Sequence, residues 1–236
     1  MQFYIFDHIV ALVFGIIIPI LSLNSGKPDA EVISELPPKK HLFYTNGLML
    51  IIGSLLALTA WNFSNRPWAG MGFRQSEIST GVLILIGTVA IVYLLDLGYG
   101  YADKAYQKKK LNEISYMVPL NWSEYAHFIF MAIAAGVCEE IIFRGFLVTY
   151  TYHFVGELPN GVFLASLIPA IAFGFSHMHQ GFWAVLKVSV IGLLLGLIFI
   201  ESKSLILVVI AHISIDLISG LFTVINARDG SEGVNN

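Results

Sequence analysis

Met131-Ala132-Ile133-Ala134-Ala135-Gly136-Val137-Cys138-Glu139-Glu140-Ile141-Ile142-Phe143-Arg144-Gly145-Phe146-Leu147 sets two adjacent carboxylates and an arginine inside one apolar run. A charged residue at the centre of a membrane helix is penalised by about 2.5–3.5 kcal/mol on translocon-based scales. Glu139, Glu140 and Arg144 must therefore pair or face a wet cavity. On a helix Glu140 and Arg144 are i and i+4 and share a face, while Glu139 lies about 100° around the axis. The spacing predicts one carboxylate held by the arginine and the other turned to a cavity. Two environments for two carboxylates separate their roles, as in catalytic carboxylate pairs. The plainer alternative is an intramembrane ion pair that fixes helix packing.

Outward from this stretch the whole chain is lipid-like. Of 236 residues 56% are hydrophobic and only 12% charged, about half the charged fraction of a soluble domain; the mean hydropathy is +0.75. Apolar runs long enough to cross a bilayer recur at Phe3–Leu23, Phe43–Trp61, Thr80–Leu97, Tyr125–Tyr150, Val162–Ser176, Trp183–Ile200 and Leu205–Val224. They predict an all-α, polytopic transmembrane helical bundle of about seven to eight spans enclosing an intramembrane polar cavity. The expected organisation is N-terminal transmembrane helices and linkers over 1–123, a core over 124–224 and a polar tail over 225–236.

The start, Met1-Gln2-Phe3-Tyr4-Ile5-Phe6-Asp7-His8, lacks the basic region of a secretory signal, so the run that follows is expected as a retained first span. Lys27, Lys39, Lys40, Lys104, Lys108, Lys109, Lys110 and Arg228 fall on one side of a seven-span topology, and Arg66, Arg74 and Lys203 on the other. That asymmetry puts the lysine-rich linkers in the cytoplasm. Trp61, Trp68, Trp122 and Trp183 lie near span ends, where an aromatic belt is expected. Gly192 and Gly196 permit close helix approach within the chain. A net charge of -3 gives no reason to expect a nucleic-acid partner, and the single cysteine, Cys138, excludes a disulfide framework.

Two further apolar segments carry polar residues. One ends Phe173-Gly174-Phe175-Ser176-His177, and the other contains His212-Ile213-Ser214-Ile215-Asp216, again an i, i+4 pair. Buried polar groups need partners, and these are the available ones. Two chemistries use such a set. In one, Glu139 accepts a proton from water, His177 orients that water, and His212 with Asp216 stabilises a tetrahedral oxyanion. In the other, Glu139, His177, His212 and Asp216 hold a zinc ion that activates the water. No His-Glu-x-x-His run is present. Gly174-Phe175-Ser176-His177 breaks the Gly-x-Ser-Gly pattern of rhomboid-type serine proteases, and Gly98-Tyr99-Gly100-Tyr101 lacks the aspartate of Gly-x-Gly-Asp enzymes.

Taken together, Glu139-Glu140-Ile141-Ile142-Phe143-Arg144, Phe173-Gly174-Phe175-Ser176-His177 and His212-Ile213-Ser214-Ile215-Asp216 resemble the three motifs of the CPBP family of intramembrane metalloprotease-like proteins. This is the CAAX protease, bacteriocin-processing or Abi family, and the resemblance covers about Glu124–Leu221. It implies seven or eight transmembrane helices around a cavity. It also implies that Glu139 activates water with help from His177, that His212 and Asp216 support the oxyanion, and that Glu140, Arg144 and Phe173 support the geometry. Asp216 stands where the eukaryotic endopeptidases have Asn, and an ionised aspartate would repel an oxyanion. The expected function is an intramembrane endopeptidase acting on a CAAX-type prenylated protein or another membrane-associated peptide, with zinc as the open cofactor. The expected partners are membrane lipid and a peptide or lipidated protein. The small size and short loops point to a multi-pass protein of a bacterial cytoplasmic membrane. The alternative is a non-proteolytic immunity, binding or scaffold protein using the same cavity. A proton or ion relay finds no inverted repeat to support it.

Overall fold

The protein is described by a computed structural model covering residues 2–103, 105, 107, 111 and 113–232. Helix is the regular structure, and no strand occurs among the described residues. In chain order the helices are α1 (Ile5–Leu12), α2 (Ile18–Ser25), α3 (Ala30–Glu35), α4 (Lys39–Phe63), α5 (Thr80–Ala102), α6 (Trp122–Glu139), α7 (Thr149–Val155), α8 (Gly161–Phe175), α9 (Phe182–Ser202) and α10 (Leu205–Glu232). Two π-helical segments, Val13–Ile17 and Glu140–Val148, join α1 to α2 and α6 to α7 into continuous rods.

Six of these rods are long and apolar enough to cross a membrane: Ile5–Ser25, Lys39–Phe63, Thr80–Gly100, Trp122–Val155, Phe182–Ser202 and Leu205–Ala227. Among the described residues the span count is thus six rather than seven to eight, because α8 has only 15 residues. At 1.5 Å per residue it is about 22 Å long, short of a hydrocarbon core of about 30 Å. It is therefore shorter than the helices long enough to span, and after it the chain turns at Ser176–Gly181.

Side-chain chemistry marks the helix starts. Ser79 Oγ accepts from Val82 N at 3.1 Å and Asn121 Oδ1 from Glu124 N at 3.0 Å, each satisfying a first-turn donor. Lys39 reaches Glu124 at 2.9 Å and ties the starts of α4 and α6 at one end of the bundle, the Lys39 face. At the opposite end, Leu205 N donates to Gly72 O at 3.0 Å and Glu77 N to Ser202 O at 2.9 Å. Gly72 has φ +93, and a Cβ there would press on the Leu205 backbone nitrogen at 3.2 Å, so glycine is required on both counts. Of the expected basic anchor on the Lys39 side, Lys104, Lys108, Lys109 and Lys110 lie outside the described residues.

The rod Trp122–Val155 is the central element. Half of its most apolar window is buried, against 17% for Thr80–Gly100, so it is surrounded by protein while α5 mostly faces lipid. The core gathers on it through Ile142, Phe146, Leu147 and Val148 with Phe14, Ala57 and Leu195. Lipid-facing positions stay apolar: Ile84, Leu94, Leu95 and Met49 are all exposed. Trp68, Trp122 and Trp183 are exposed near span ends, but Trp61 is fully buried and is not a belt residue. Its indole donates to Pro67 O at 3.2 Å and its ring lies 4.3 Å from the Arg66 guanidinium. Arg66 in turn pairs with the buried Asp7, so this loop cation is a lock on α1. Gly192 and Gly196 serve contacts within the chain, toward Phe173 and Ser166 respectively.

Candidate active site

Glu139 is the last residue of α6 and Glu140 the first of the π segment. A π turn is wider than an α turn and is met frequently at functional sites. Glu140 is fully buried; its Oε1 accepts from Arg144 Nη1 at 2.6 Å and from His212 Nδ1 at 2.7 Å. Its second oxygen, Oε2, has no hydrogen-bond partner. Arg144 is satisfied further by Gly192 O at 3.3 Å and by the Phe173 ring 4.8 Å below its guanidinium. Glu140 thus spends its charge on two cationic or polar neighbours and keeps no exposed side-chain surface.

The Glu140 contact fixes the chemistry of His212. A carboxylate only accepts, so Nδ1 is the donor and Nε2 is the nitrogen turned elsewhere. Around Nε2 stand Glu139 Oε2 and Asp216 Oδ2, each at 3.7 Å. That separation is too long for a direct hydrogen bond and leaves both carboxylates beside one ring nitrogen. Glu139 keeps 12% of its side-chain surface and Asp216 29%, against none for Glu140. Asp216 does not orient the imidazole through Nδ1, because Glu140 already occupies that position.

His177 comes from just past the end of α8. Its Nδ1 meets Phe173 O at 2.8 Å; a carbonyl only accepts, so Nδ1–H donates and Nε2 of the neutral ring is an acceptor. Phe173 is the hub of the cluster: its ring centroid lies 4.7 Å from His177, 4.7 Å from Phe143 and 6.1 Å from His212. Ser22 Oγ donates to Ser176 O at 3.1 Å and Tyr116 OH to His179 O at 3.1 Å, holding the turn that carries His177.

Glu139, Glu140, Arg144, Phe173, His177, His212 and Asp216 are therefore neighbours in space. Among the described residues no group of three or more His, Cys, Asp or Glu is arranged to hold a metal ion. The donor set as it stands among the described residues does not fit zinc. Three contributors carry no sequence motif. Tyr93 OH meets Ile215 O at 3.1 Å and Ser219 Oγ at 2.9 Å, bracketing Asp216. Gly136 lets α10 approach α6: a Cβ there would lie 2.9 Å from Ile213 N, next to His212. Gly192 leaves room for Arg144 Nη2, which a Cβ would meet at 3.4 Å. Gly136 stands three positions before Glu139, but Tyr93 and Gly192 are far from every motif in the chain, and their roles are visible only once the helices are paired.

Residues 121–218 match the family model Rce1-like, type II CAAX prenyl endopeptidase Rce1-like. The match contains all three motifs and nearly coincides with the stretch over which they were read. No curated protein and no solved structure matches the chain. The protein is multi-pass, with its polar cluster inside the membrane-spanning bundle.

Proposed function

Because residues 121–218 carry the pattern of the CAAX prenyl endopeptidase family, we propose that this chain is an intramembrane endopeptidase. It hydrolyses a peptide bond near the C-terminus of a lipidated, membrane-associated protein through water activated by Glu139. The observation that carries this reading is the division between two adjacent carboxylates. Glu140 accepts from both Arg144 and His212 and is closed off, while Glu139 keeps exposed surface beside His212 Nε2.

In the proposed reaction Glu139 takes a proton from water as the oxygen attacks the scissile carbonyl. His177, whose Nδ1 is committed to Phe173 O, offers Nε2 to orient that water. His212, as imidazolium, donates from Nε2 to the oxyanion, a position Glu140 holds by gripping Nδ1. Collapse breaks the C–N bond, and the proton on Glu139 passes to the departing amine. Asp216 in its acid form adds a second donor beside the same nitrogen; this is how an aspartate serves where an asparagine stands in eukaryotic relatives.

Detergent-purified protein should cleave a fluorescence-quenched peptide ending in a farnesylated Cys-a-a-X sequence, with both fragments identified by mass. His177→Ala should lose turnover while keeping its folded yield. Cleavage at equal rate by His177→Ala would remove that residue from the mechanism. Absence of cleavage by folded wild type, combined with phenotypic rescue by Glu139→Gln, would favour an immunity or scaffold role.

A further inference from the structure

Outside the catalytic cluster, a further ion pair joins the middle of two spans. Lys187 on α9 meets Asp96 on α5 at 2.9 Å. Ionisable residues at such positions mark function by default, with a structural tie between helices as the competing explanation. Exposure distinguishes this pair from its neighbours. Arg144–Glu140 retains 2% and 0% of side-chain surface and Arg66–Asp7 retains 5% and 1%, whereas Lys187–Asp96 retains 35% and 27%. The first two are sealed locks. The third is open, and an open ammonium in a poorly solvating environment can exchange one carboxylate for another.

Its position relates it to the cluster from two directions. On α9, Val185 and Ser189 crowd Gly174, three positions before His177, and Lys187 lies between them in sequence on the opposite face, toward α5. On α5, Asp96 follows Tyr93 by three residues and so shares its face, and Tyr93 bonds Ile215 O and Ser219 Oγ on either side of Asp216. Asp96 therefore sits about one helical turn along α5 from the tyrosine that brackets Asp216. Trp183, exposed one turn nearer the start of α9, marks the approach from the Lys39 face.

We propose that Lys187 receives the free C-terminal carboxylate of the substrate, taking it in place of Asp96 and setting how far from the chain end the bond is cut. This rests on the endopeptidase reading above. In a Cys-a-a-X sequence any internal bond lies within three residues of the terminal carboxylate, about 10 Å of extended chain. That reach is about one spacing between the axes of packed helices, about 8–10 Å. The group recognised is the terminal carboxylate, so the chemistry of the a-a-X side chains is secondary to their number.

The test uses two farnesylated peptides of the same sequence, one ending in a free carboxylate and one in a carboxamide, with full-length wild type, Lys187→Met, Lys187→Arg and Asp96→Asn. Wild type should favour the acid by about tenfold or more in kcat/KM, mostly through KM, as expected for a charge-assisted contact. Lys187→Met should cleave the amide at the wild-type rate and lose the preference; Lys187→Arg should keep it. Asp96→Asn, which removes the resident competitor, should lower KM for the acid alone. It decides the question even where Lys187→Met fails to fold. Equal cleavage of acid and amide by wild type would overturn the proposal. So would equal loss on both peptides in Lys187→Met together with a lowered unfolding temperature, the signature of a purely structural tie. Cleavage of neither peptide by folded wild type would overturn the endopeptidase reading itself, and this proposal with it.

Discussion

Gly136→Ala adds one methyl group at the point where α6 and α10 touch, without altering any charged or hydrogen-bonding group. The added Cβ would lie 2.9 Å from Ile213 N and 3.2 Å from Ile213 Cα. These are backbone atoms, so no side-chain rotation relieves the contact. Restoring an ordinary separation of about 3.5 Å moves α10 away by about 0.6 Å. The 2.7 Å bond between Glu140 and His212, one turn along the same contact, would stretch beyond 3 Å. Overpacking of this kind costs about 1–3 kcal/mol of stability. A displacement of about 1 Å in catalytic geometry costs about a hundredfold in rate, so a shift of this size should lower kcat by about tenfold or more, with KM little changed. The assay is peptide cleavage by purified protein beside a thermal unfolding curve. Gly87→Ala serves as control, since a Cβ there meets nothing within 4 Å. Wild-type kcat in Gly136→Ala, with its unfolding temperature unchanged, would refute the claim that this contact sets the position of His212.

Arg144→Ala strands the buried Glu140 charge and should remove about 3–5 kcal/mol of stability, read as loss of folded yield from membranes; a normal yield would argue that Glu140 is held by His212 alone. Arg66→Met should loosen α1 by stranding the fully buried Asp7, and protease nicking near residues 1–25 reports it. Gly192→Ala should impair turnover through Arg144, whose Nη2 a Cβ would meet at 3.4 Å, and be milder than Gly136→Ala because a side chain rather than backbone must give way. Turnover should persist in excess chelator, since among the described residues no three His, Cys, Asp or Glu are arranged to hold a metal ion; loss restored by added zinc would show that the site closes on a metal when substrate arrives.

The bundle was legible because runs of about twenty apolar residues have few other fates. The pairing of Glu140 with Arg144 was legible for a similar local reason, an i, i+4 spacing inside an apolar helix. Contacts across long stretches of chain were not. Nothing local says that His212 Nδ1 meets a carboxylate 72 residues earlier, or that Glu140 rather than Asp216 fixes its tautomer. Hydropathy bounded the fifth run at Val162–Ser176, as short as the 15 residues of α8, but could not show that His177 beyond its end and His212 within α10 both pack on the Phe173 ring. Charge counting set Arg66 among the loop cations although it is buried against Asp7. Lys187 and Asp96 escaped notice for the opposite reason: one charge barely lowers the mean of an otherwise apolar window, and only the fold reveals that two such windows meet.

The central claim is that two adjacent carboxylates do different work, Glu139 as the base and Glu140 as the group that holds Arg144 and His212. Turnover and thermal unfolding measured side by side on Glu139→Gln and Glu140→Gln test it most directly. The account predicts no cleavage and a near wild-type unfolding temperature for Glu139→Gln, and both a lowered unfolding temperature and reduced turnover for Glu140→Gln. Retained cleavage by Glu139→Gln, or identical stability losses in the two variants, would contradict it.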